Sequence, residues 1–427
     1  MNLNQNMLMA KQLLQNFKGN AYYSGTQPYA DTVSAAARLG KTAFLVHSAN
    51  HNLLPFVQEL KDLLSDAGVD LCGQFSGIRP NAPMEDLLHL TDALRQCQPE
   101  FVISLGGGSV IDTAKAAMIL LTLGGEMESY FGNGLVTQAL ARQNKTLLPH
   151  VAIQTAASSA AHLTKYSNIT NPQTHQKKLI VDDAIIPTLS AFDYRTTLSA
   201  PPELTIDGAL DGISHGLEVF YGAVGKPHYE QVKTIALTAI ALILEALPQA
   251  LTHPHDLEAR TALGLATDLG GVAIMIGSTN GGHLTSFSLV DLLPHGRACA
   301  MLNPYYSVYF APAIQEPLRL VGSLYQHAGF TQADFFTLAG RSLGIAVAEA
   351  MFNFHRSLGV PTALKDVPGF SPAYIEQALQ AAKNPQLEMK LAAMPLPMSA
   401  TTIDSSMAPI LAAAVSGDIN LIQTIDG

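Results

Sequence analysis

The stretch FVISLGGGSVIDTAKAA, residues 101–117, decides the fold class of this chain. It opens with five residues typical of a buried strand, continues with three glycines at 106–108, and then passes directly into a helical pattern. Glycine lets the backbone approach a ligand closely, and the first turn of a helix offers free N–H groups at the positive end of its dipole. The stretch therefore predicts a strand–turn–helix unit that binds a phosphate group.

Strand and helix patterns alternate on both sides of this turn. Strands are predicted at 42–47, 69–75, 101–105, 151–155 and 177–181, and helices at 53–64, 84–96 and 109–122. This alternation is typical of an α/β domain with a parallel sheet. After 201–202 the pattern is mostly helical, with helices predicted at 204–221, 229–247, 256–270, 298–312, 331–358 and 372–382. We therefore predict an α/β dinucleotide-binding domain over 1–197 and an all-helical metal and substrate domain over 198–427.

Composition and charge narrow the class of protein. Apolar residues make up 48% of the 427 residues, charged residues 14%, and the net charge is −10. An acidic chain without a basic run does not favour a nucleic-acid partner, because phosphate binding needs clustered Lys and Arg. Three scattered cysteines and the absence of a signal-peptide pattern lead us to expect a cytoplasmic protein. The apolar run at 235–247 is shorter than the roughly 20 residues of a membrane span, so a buried helix and no membrane partner are expected.

Four residues in the C-terminal half form a candidate metal site. Asp211 and His215 stand one helical turn apart in DGISHGLE, His283 lies in GGHLTS, and His295 lies in LLPHGRA. Residues at i and i+4 of a helix share one face. One carboxylate and three imidazoles, completed by a water or a substrate oxygen, suit a catalytic divalent ion, and both iron and zinc fit. Glu218, on the same predicted helix face, could orient one of the ligands.

Each of these residues also has a simpler interpretation. Asp211 and His215 could form an ion pair on a solvated helix face. A glycine turn precedes His283, which could then be a capping residue, and His295 could be an ordinary loop histidine. The metal hypothesis gains weight only when the four are taken together.

Three segments resemble the iron-containing (group III) alcohol dehydrogenases, relatives of dehydroquinate synthase. The segments are LGGGSVIDTAKAA (105–117), APPELTIDGALDGISHGLEVF (200–220) and GGHLTSFSLVDLLPHGRACAMLNP (281–304), and the resemblance extends over roughly 20–420. It implies a Rossmann-like dinucleotide domain followed by a helical domain, with metal and substrate in the cleft between them. It also implies Fe²⁺ or Zn²⁺ at Asp211, His215, His283 and His295.

The resemblance further implies a set of residues that contact NAD or NADP. Pyrophosphate contacts fall on Gly107, Gly108 and Ser109, and Asp112 lies towards the nicotinamide. Asn81 and Lys178 match an asparagine and a lysine that contact the cofactor. The other cofactor-binding candidates are Ser48, Thr155 and Ser158.

Some positions depart from the family pattern. The usual TTAGTGSE is TAASSAAH here, at 155–162, which keeps Thr155 but places Ser158 and Ser159 where a Gly and a Thr are usual. Ser48 stands where members that prefer NAD commonly carry an Asp, so NADP becomes possible. Phe287 replaces a second histidine that many members have four residues after the position of His283.

The resulting hypothesis is a metal-dependent alcohol dehydrogenase or aldehyde reductase that acts on a small alcohol or aldehyde and forms a homodimer or larger homo-oligomer. No catalytic base is evident, and His162 is a weak candidate. The alternatives are a hydroxyacid–oxoacid transhydrogenase that recycles its own nucleotide, a dehydroquinate synthase-like lyase, and an inactive nucleotide-binding paralogue.

Overall fold

The computed structural model describes residues 2–171 and 176–422, which divide into two compact units. One, called the sheet unit, comprises Lys11–Pro201 and Thr252–Gly264. The other, called the helical unit, comprises the chain up to Ala10, Pro202–Leu251, and the chain from Leu265 onward. The main division falls between Pro201 and Pro202, and the segments Lys11–Pro201 and Thr252–Gly264 together form the sheet unit.

Two sheets lie in the described part of the sheet unit. The strands are β1 (Tyr22–Gly25), β2 (Thr42–His47), β3 (Asp70–Ser76), β4 (Phe101–Gly106), β5 (Gly132–Asn133), β6 (His150–Gln154), β7 (Tyr166–Asn171), β8 (Gln176–Val181) and β9 (Leu189–Asp193). The larger sheet has the order β1-β9-β6-β4-β2-β3 and is parallel throughout, and the smaller has the order β5-β8-β7. Strands β4 and β6 are buried along their whole length, as expected when helices cover both faces of a parallel sheet.

Helices alternate with these strands along the chain. They are α1 (Leu3–Lys18), which begins in the helical unit, α2 (Tyr29–Ala36), α3 (Leu54–Asp66), α4 (Met84–Cys97), α5 (Gly108–Leu123) and α6 (Leu135–Gln143). One apolar core contains residues of α4, α5 and α6, and another contains residues of α2 and α3. The strands and helices predicted between 42 and 181 are confirmed to within two residues at their ends.

The helical unit contains the remaining helices. They are α7 (Pro202–Gly222), α8 (Tyr229–Thr252), α9 (Leu257–Ile276), which begins in the sheet unit, α10 (Gly281–Ser286), α11 (His295–Phe310), α12 (Gln315–His327), α13 (Gly340–Ser357), α14 (Ala373–Ala382), α15 (Glu388–Ala392) and α16 (Ile403–Ser416). Helix α7 is buried along most of its length. It passes close to α8 and α9 at Gly212, where an added Cβ would lie 3.1 Å from side-chain atoms of Ile243 and Thr267.

One helix prediction in this unit is wrong at its start. The helix predicted over 331–358 begins only at Gly340, because the chain before it forms a turn in which Asp334 Oδ1 accepts the Phe336 N–H at 3.0 Å. Gly340 itself has a φ of 50°, which is the left-handed region. The helices predicted at 298–312, 229–247 and 256–270 are present as α11, α8 and α9, with ends that differ from the prediction by up to six residues. Helices α1, α2, α6, α10, α12, α15 and α16 were not predicted.

Two described helices, α8 and α9, are long and apolar enough to cross a membrane by length and composition alone. Within this structure 61% and 83% of their most apolar windows are buried. This burial fits core helices, and it confirms that 235–247 is part of a buried helix.

Candidate functional site

The glycine turn joins β4 to α5. Strand β4 ends at Gly106 and α5 begins at Gly108, while Gly107 occupies the N-cap without a side chain to accept the first N–H groups. A Cβ added at Gly107 would meet no described atom within 4 Å, whereas one at Gly108 would lie 2.6 Å from Ser159 Oγ. The turn therefore combines uncapped N–H groups with open space, which suits a phosphate group.

Two of the residues expected at the cofactor meet beside this turn. The Asn81 N–H donates to Ser109 Oγ at 3.1 Å, and the Thr170 hydroxyl donates to the Asn81 carbonyl oxygen at 2.6 Å. Asn81 has a φ of 65°, a conformation that asparagine tolerates better than most residues. The loop before α4 is thus held against the first turn of α5.

Asp112 lies buried on α5 and faces β7. Its Oδ2 accepts the Asn168 backbone N–H at 3.0 Å. Burial raises the pKa of Asp112, while the nearby Lys115 ammonium opposes this rise. Burial lowers the pKa of Lys115 to about 8, and its ammonium donates to three backbone carbonyl oxygens, those of Ala161, Thr164 and Tyr166. Together Asp112 and Lys115 bind the 161–168 segment to α5.

The segment after β6 carries the altered sequence TAASSAAH. The Thr155 N–H donates to the Gly106 carbonyl oxygen at 3.1 Å, which ties the end of β6 to the end of β4. Ser158 is half-buried, with its Oγ 3.5 Å from the Gln154 side-chain nitrogen. The next residue, Ser159, lies beside Gly108, so this segment borders the glycine turn.

Ser48 follows β2 directly. Its N–H donates to the Leu105 carbonyl oxygen at 2.9 Å, and its Oγ accepts the Asn50 N–H at 3.3 Å. Ser48, Gly107 and Thr155 follow three neighbouring parallel strands, so they lie along the same carboxyl edge of the larger sheet. This edge is where ligands bind in open α/β sheets.

Lys178 lies opposite Ile169 of β7. It belongs to β8 in the smaller sheet, where its ammonium pairs with Glu128 and lies 5.7 Å from the centroid of the Phe131 ring.

His162, the weak catalytic candidate, is fully buried. Its ring centroid lies 5.9 Å from those of both Tyr22 and Phe192. A ring enclosed in this way contributes to packing of the sheet unit.

The four predicted metal ligands converge within the helical unit. The Nε2 atoms of His215, His283 and His295 lie 3.8, 3.6 and 3.8 Å from Asp211 Oδ1. Burial lowers the pKa of His215 to about 4, which leaves the neutral ring that a metal requires. Burial opposes ionisation of Asp211, but the three imidazoles outweigh it and hold the pKa of Asp211 well below its ordinary value.

Glu218 fixes the orientation of one of these imidazoles. Its Oε1 accepts the His283 Nδ1–H at 2.7 Å, and its Oε2 accepts the Asn280 backbone N–H at 2.7 Å. The opposite ring nitrogen, His283 Nε2, and Asp211 Oδ1 are buried and have no hydrogen-bond partner among the described residues. Two buried polar atoms that face each other are costly unless a proton or a metal cation lies between them, and a carboxylate behind the histidine is a usual feature of metal sites. The donor set therefore fits a divalent metal ion.

A close contact between α7 and α11 brings His295 to Asp211. An added Cβ at Gly296 would lie 2.0 Å from the Asp207 carbonyl oxygen and 2.8 Å from Asp211 Cβ, so only glycine fits there. The neighbouring Arg297 Nε donates to Asp207 Oδ1 at 2.7 Å. These two contacts set the position of the first turn of α11.

Cys299 is a residue of the site that sequence reasoning missed. Its Sγ lies 4.0 Å from both ring nitrogens of His295. The donor atoms of Asp211, His283, His295 and Cys299 all lie within 4.8 Å of one another, and His215 is not part of this group. The signal was available, because Cys299 follows His295 at i+4, the same spacing that drew attention to Asp211 and His215.

Phe287 lies against the histidine cluster. Its ring is parallel to that of His295, with centroids 5.9 Å apart and planes at 4°. The Lys390 ammonium lies 5.5 Å from the centroid of the Phe287 ring. This chain therefore places an apolar ring beside the His295 imidazole.

Comparison with known proteins identifies a family and relatives that match most of the chain. The model of the iron-containing alcohol dehydrogenase family matches residues 19–194, and that of the C-terminal part of Fe-containing alcohol dehydrogenases matches 205–401. Alcohol dehydrogenase 4 of Saccharomyces cerevisiae is 28% identical over 329 residues, which cover 77% of this chain and 81% of that protein. The 1,3-propanediol dehydrogenase of Citrobacter freundii is 28% identical over 306 residues, covering 71% and 75%.

Solved structures share the fold. A 1,3-propanediol oxidoreductase superposes with a TM-score of 0.79 at 24% identity, covering 92% of this chain and 98% of that one. A sulfoacetaldehyde reductase from Bifidobacterium kashiwanohense, solved in complex with NAD⁺, has a TM-score of 0.72 at 23% identity, covering 93% and 97%.

Proposed function

Because the chain belongs to the iron-containing alcohol dehydrogenase family, we propose that it transfers hydride between a nicotinamide dinucleotide and a small alcohol or aldehyde with the help of a divalent metal ion. Relatives named for alcohols, methanol and 1,3-propanediol support a small hydroxyl or carbonyl substrate. We further propose a cytoplasmic homodimer or larger homo-oligomer with no nucleic-acid or membrane partner.

Asp211, His215, His283 and His295 hold the metal in this proposal. The observation that carries it is the pair of buried, unpartnered atoms Asp211 Oδ1 and His283 Nε2 at 3.6 Å. A bound iron or zinc ion supplies Lewis acidity that polarises the substrate oxygen.

The protein's own residues prepare this site. Glu218 accepts the Nδ1–H of His283, which commits the opposite nitrogen to the metal. Burial keeps the ring of His215 neutral, and the burial of Asp211, His215 and His283 strengthens the electrostatic contacts among them, while His295 is only partly buried.

The glycine turn holds the dinucleotide pyrophosphate in this proposal. The N–H groups at Gly107, Gly108 and Ser109 supply the donors, supported by the open space beside Gly107. Asn81, Asp112, Thr155, Ser158 and Lys178 remain the further cofactor-binding candidates. Ser48 at the end of β2 offers a hydroxyl in place of a carboxylate, so we propose that NADP(H) is accepted as well as NAD(H).

Metal reconstitution tests the proposal. Chelator-treated protein is reloaded with Fe²⁺ or Zn²⁺ and assayed with NADH or NADPH against a panel of short-chain aldehydes. We expect oxidation of the cofactor only after metal is restored. In His283→Ala, metal content falls and activity drops by roughly a hundredfold or more. The exposed His255→Ala is the matched control and keeps both. Cofactor oxidation that is the same with and without metal would refute the proposal.

A further inference from the structure

A lysine ammonium lies close to the proposed metal site within the helical unit. Lys390, on the short helix α15, approaches the ring of Phe287, and its Nζ lies 5.5 Å from the centroid of that ring. The Phe287 ring is in turn parallel to the His295 imidazole, with centroids 5.9 Å apart. A single aromatic ring is therefore adjacent to both the ammonium and a proposed metal ligand.

The Lys390 ammonium forms no ion pair or hydrogen bond with another described residue. The residue is partly buried, and this burial lowers the pKa of Lys390, whereas the Glu218 carboxylate opposes the decrease. Glu218 is not available as a direct partner, because its two oxygens accept the His283 Nδ1–H and the Asn280 N–H. A partly buried cation without a partner is costly, and an anion that binds beside it removes this cost.

The charges around the proposed metal site also leave this ammonium without a counterion. The carboxylates of Asp211 and Glu218 contribute two negative charges, which balance those of a divalent ion, and imidazoles that bind a metal are neutral. Arg297 and Asp207 pair with each other at 2.7 Å. Lys390 therefore adds one positive charge that none of these four residues compensates.

We propose that the substrate is a short aldehyde or alcohol with an acidic group, such as a carboxylate, sulfonate or phosphonate, at the end remote from the reacting carbon, and that Lys390 binds this group. The inference rests on the proposed function, because it assumes that the reacting oxygen lies at the metal. The Phe287 ring offers an apolar surface for the carbon chain between the two ends of the substrate.

The ammonium should act on specificity through its charge. An ion pair in a partly buried site is screened less by water than one at the surface, so it contributes more to binding. A neutral aldehyde of similar length leaves Lys390 unpaired. The protein should therefore prefer the anionic substrate over its neutral counterpart.

Kinetics of the full-length protein reloaded with Fe²⁺ or Zn²⁺ test this preference. The anionic aldehydes are 4-oxobutanoate, 2-oxoethanesulfonate and 2-oxoethylphosphonate, and the neutral counterparts are butanal and propanal. We expect kcat/KM for at least one anionic aldehyde to exceed that for its neutral counterpart by about tenfold or more. The aldehyde with the largest ratio identifies the acidic group.

Substitutions of the lysine separate its charge from its packing. In Lys390→Met the ratio of the two kcat/KM values should fall to about one, whereas Lys390→Arg should keep most of it. Lys365→Met, at an exposed position, is the matched control and should keep the wild-type ratio. A purely structural role of Lys390 would lower both values together and leave their ratio unchanged.

Binding without turnover gives a second readout. Calorimetry of the metal-loaded, nucleotide-free protein compares 4-hydroxybutanoate, 2-hydroxyethanesulfonate and 2-hydroxyethylphosphonate with butan-1-ol and propan-1-ol. The hydroxy acid with the preferred acidic group should bind about tenfold more tightly than the neutral alcohol in the wild type and in Lys390→Arg. The two affinities should be about equal in Lys390→Met.

The outcomes separate this inference from the proposed function. If metal-dependent reduction of butanal and propanal is observed without a preference for any of the three anionic aldehydes, the inference is overturned and the proposed function is intact. A preference that is unchanged in Lys390→Met also overturns the inference, because the metal alone then attracts the anion. Cofactor oxidation that is the same with and without metal overturns both.

Discussion

A Cβ added at Gly107, in the turn between β4 and α5, meets open space, whereas one added at Gly296, at the start of α11, lies 2.0 Å from the Asp207 carbonyl oxygen. Gly282 resembles Gly296, because its added Cβ would lie 2.4 Å from Asn303 Oδ1 and 2.6 Å from Glu218 Oε1. In the helical unit glycine lets packed elements touch, and those contacts position the proposed metal ligands. In the turn of the sheet unit glycine leaves room for something outside the chain. Substitution of these glycines should therefore disturb the packing of the helical unit, whereas substitution in the turn of the sheet unit should weaken ligand binding.

The largest effect is expected at Gly296. Alanine at this position should push α11 away from α7, separate His295 from Asp211, and destabilise the protein by about 3 kcal/mol, at the upper end for overpacked sites. Thermal unfolding and bound metal, measured by elemental analysis, should both fall. Gly222→Ala is the control, since its added Cβ meets its nearest atom, the Ser278 carbonyl oxygen, at 3.9 Å. Equal unfolding temperatures and equal metal contents of the two variants would contradict the packing role of Gly296.

Glu218→Gln should weaken metal binding without a comparable loss of fold. The amide keeps the size of the side chain but removes the charge that holds the His283 Nδ1–H, so metal affinity should fall about 10- to 100-fold. Competition with a chromophoric chelator measures this change. Glu245→Gln, at an exposed position of α8, provides the control and should leave the affinity unchanged.

Gly107→Ala tests the open space in the turn. The residue has a φ of −78°, which alanine adopts without strain, so the nucleotide-free protein should unfold at the wild-type temperature. If the pyrophosphate occupies the space, the added methyl group should weaken nucleotide binding about tenfold, or about 1.4 kcal/mol, while metal content stays constant. Nucleotide titration followed by fluorescence or calorimetry gives the result. Unchanged nucleotide affinity would show that the space serves no ligand.

Acid sensitivity should be the smallest of these effects, and one buried histidine of each unit, outside the metal cluster, tests it. Burial lowers the pKa of His150 in the sheet unit to about 3 and that of His355 in the helical unit to about 4. Because both stay neutral when folded but take up a proton near pH 6.5 when unfolded, stability is lost as the pH falls below about 6.5. Between pH 7.5 and 5.5 each should cost about 1 kcal/mol, measured by urea unfolding of metal-free protein.

The variants His150→Gln and His355→Gln should each flatten this dependence. The exposed His255→Gln should not alter it. If the free energy of unfolding depends on pH in both buried variants as it does in the wild type, these two histidines are not the cause of the acid sensitivity.

Local parts of the site could be predicted from the sequence, because their signals lie within one element. The strand, glycine turn and first turn of α5 are contiguous, and Asp211 and His215 share one helix. The contact between Glu218 and His283 joins residues 65 positions apart, so spacing could suggest a role for Glu218 but not its partner. Asp112 illustrates the same limit, since the backbone that its carboxylate contacts lies 56 residues further along the chain.

Cys299 was missed for a different reason. The few cysteines were interpreted only as evidence for a reducing compartment, although the i, i+4 spacing from His295 was visible. The left-handed Gly340 and the turn at Asp334 were likewise local signals, and the apolar periodicity of the neighbouring segment concealed them.

The three carbonyl oxygens that bind the Lys115 ammonium have a practical consequence. The Lys115 side chain is fully buried, and this burial shields its amine from reagents. An acylating label can reach it only when the 161–166 segment separates from α5. The rate of Lys115 acylation, measured by mass spectrometry, would therefore report the rate at which this part of the sheet unit opens.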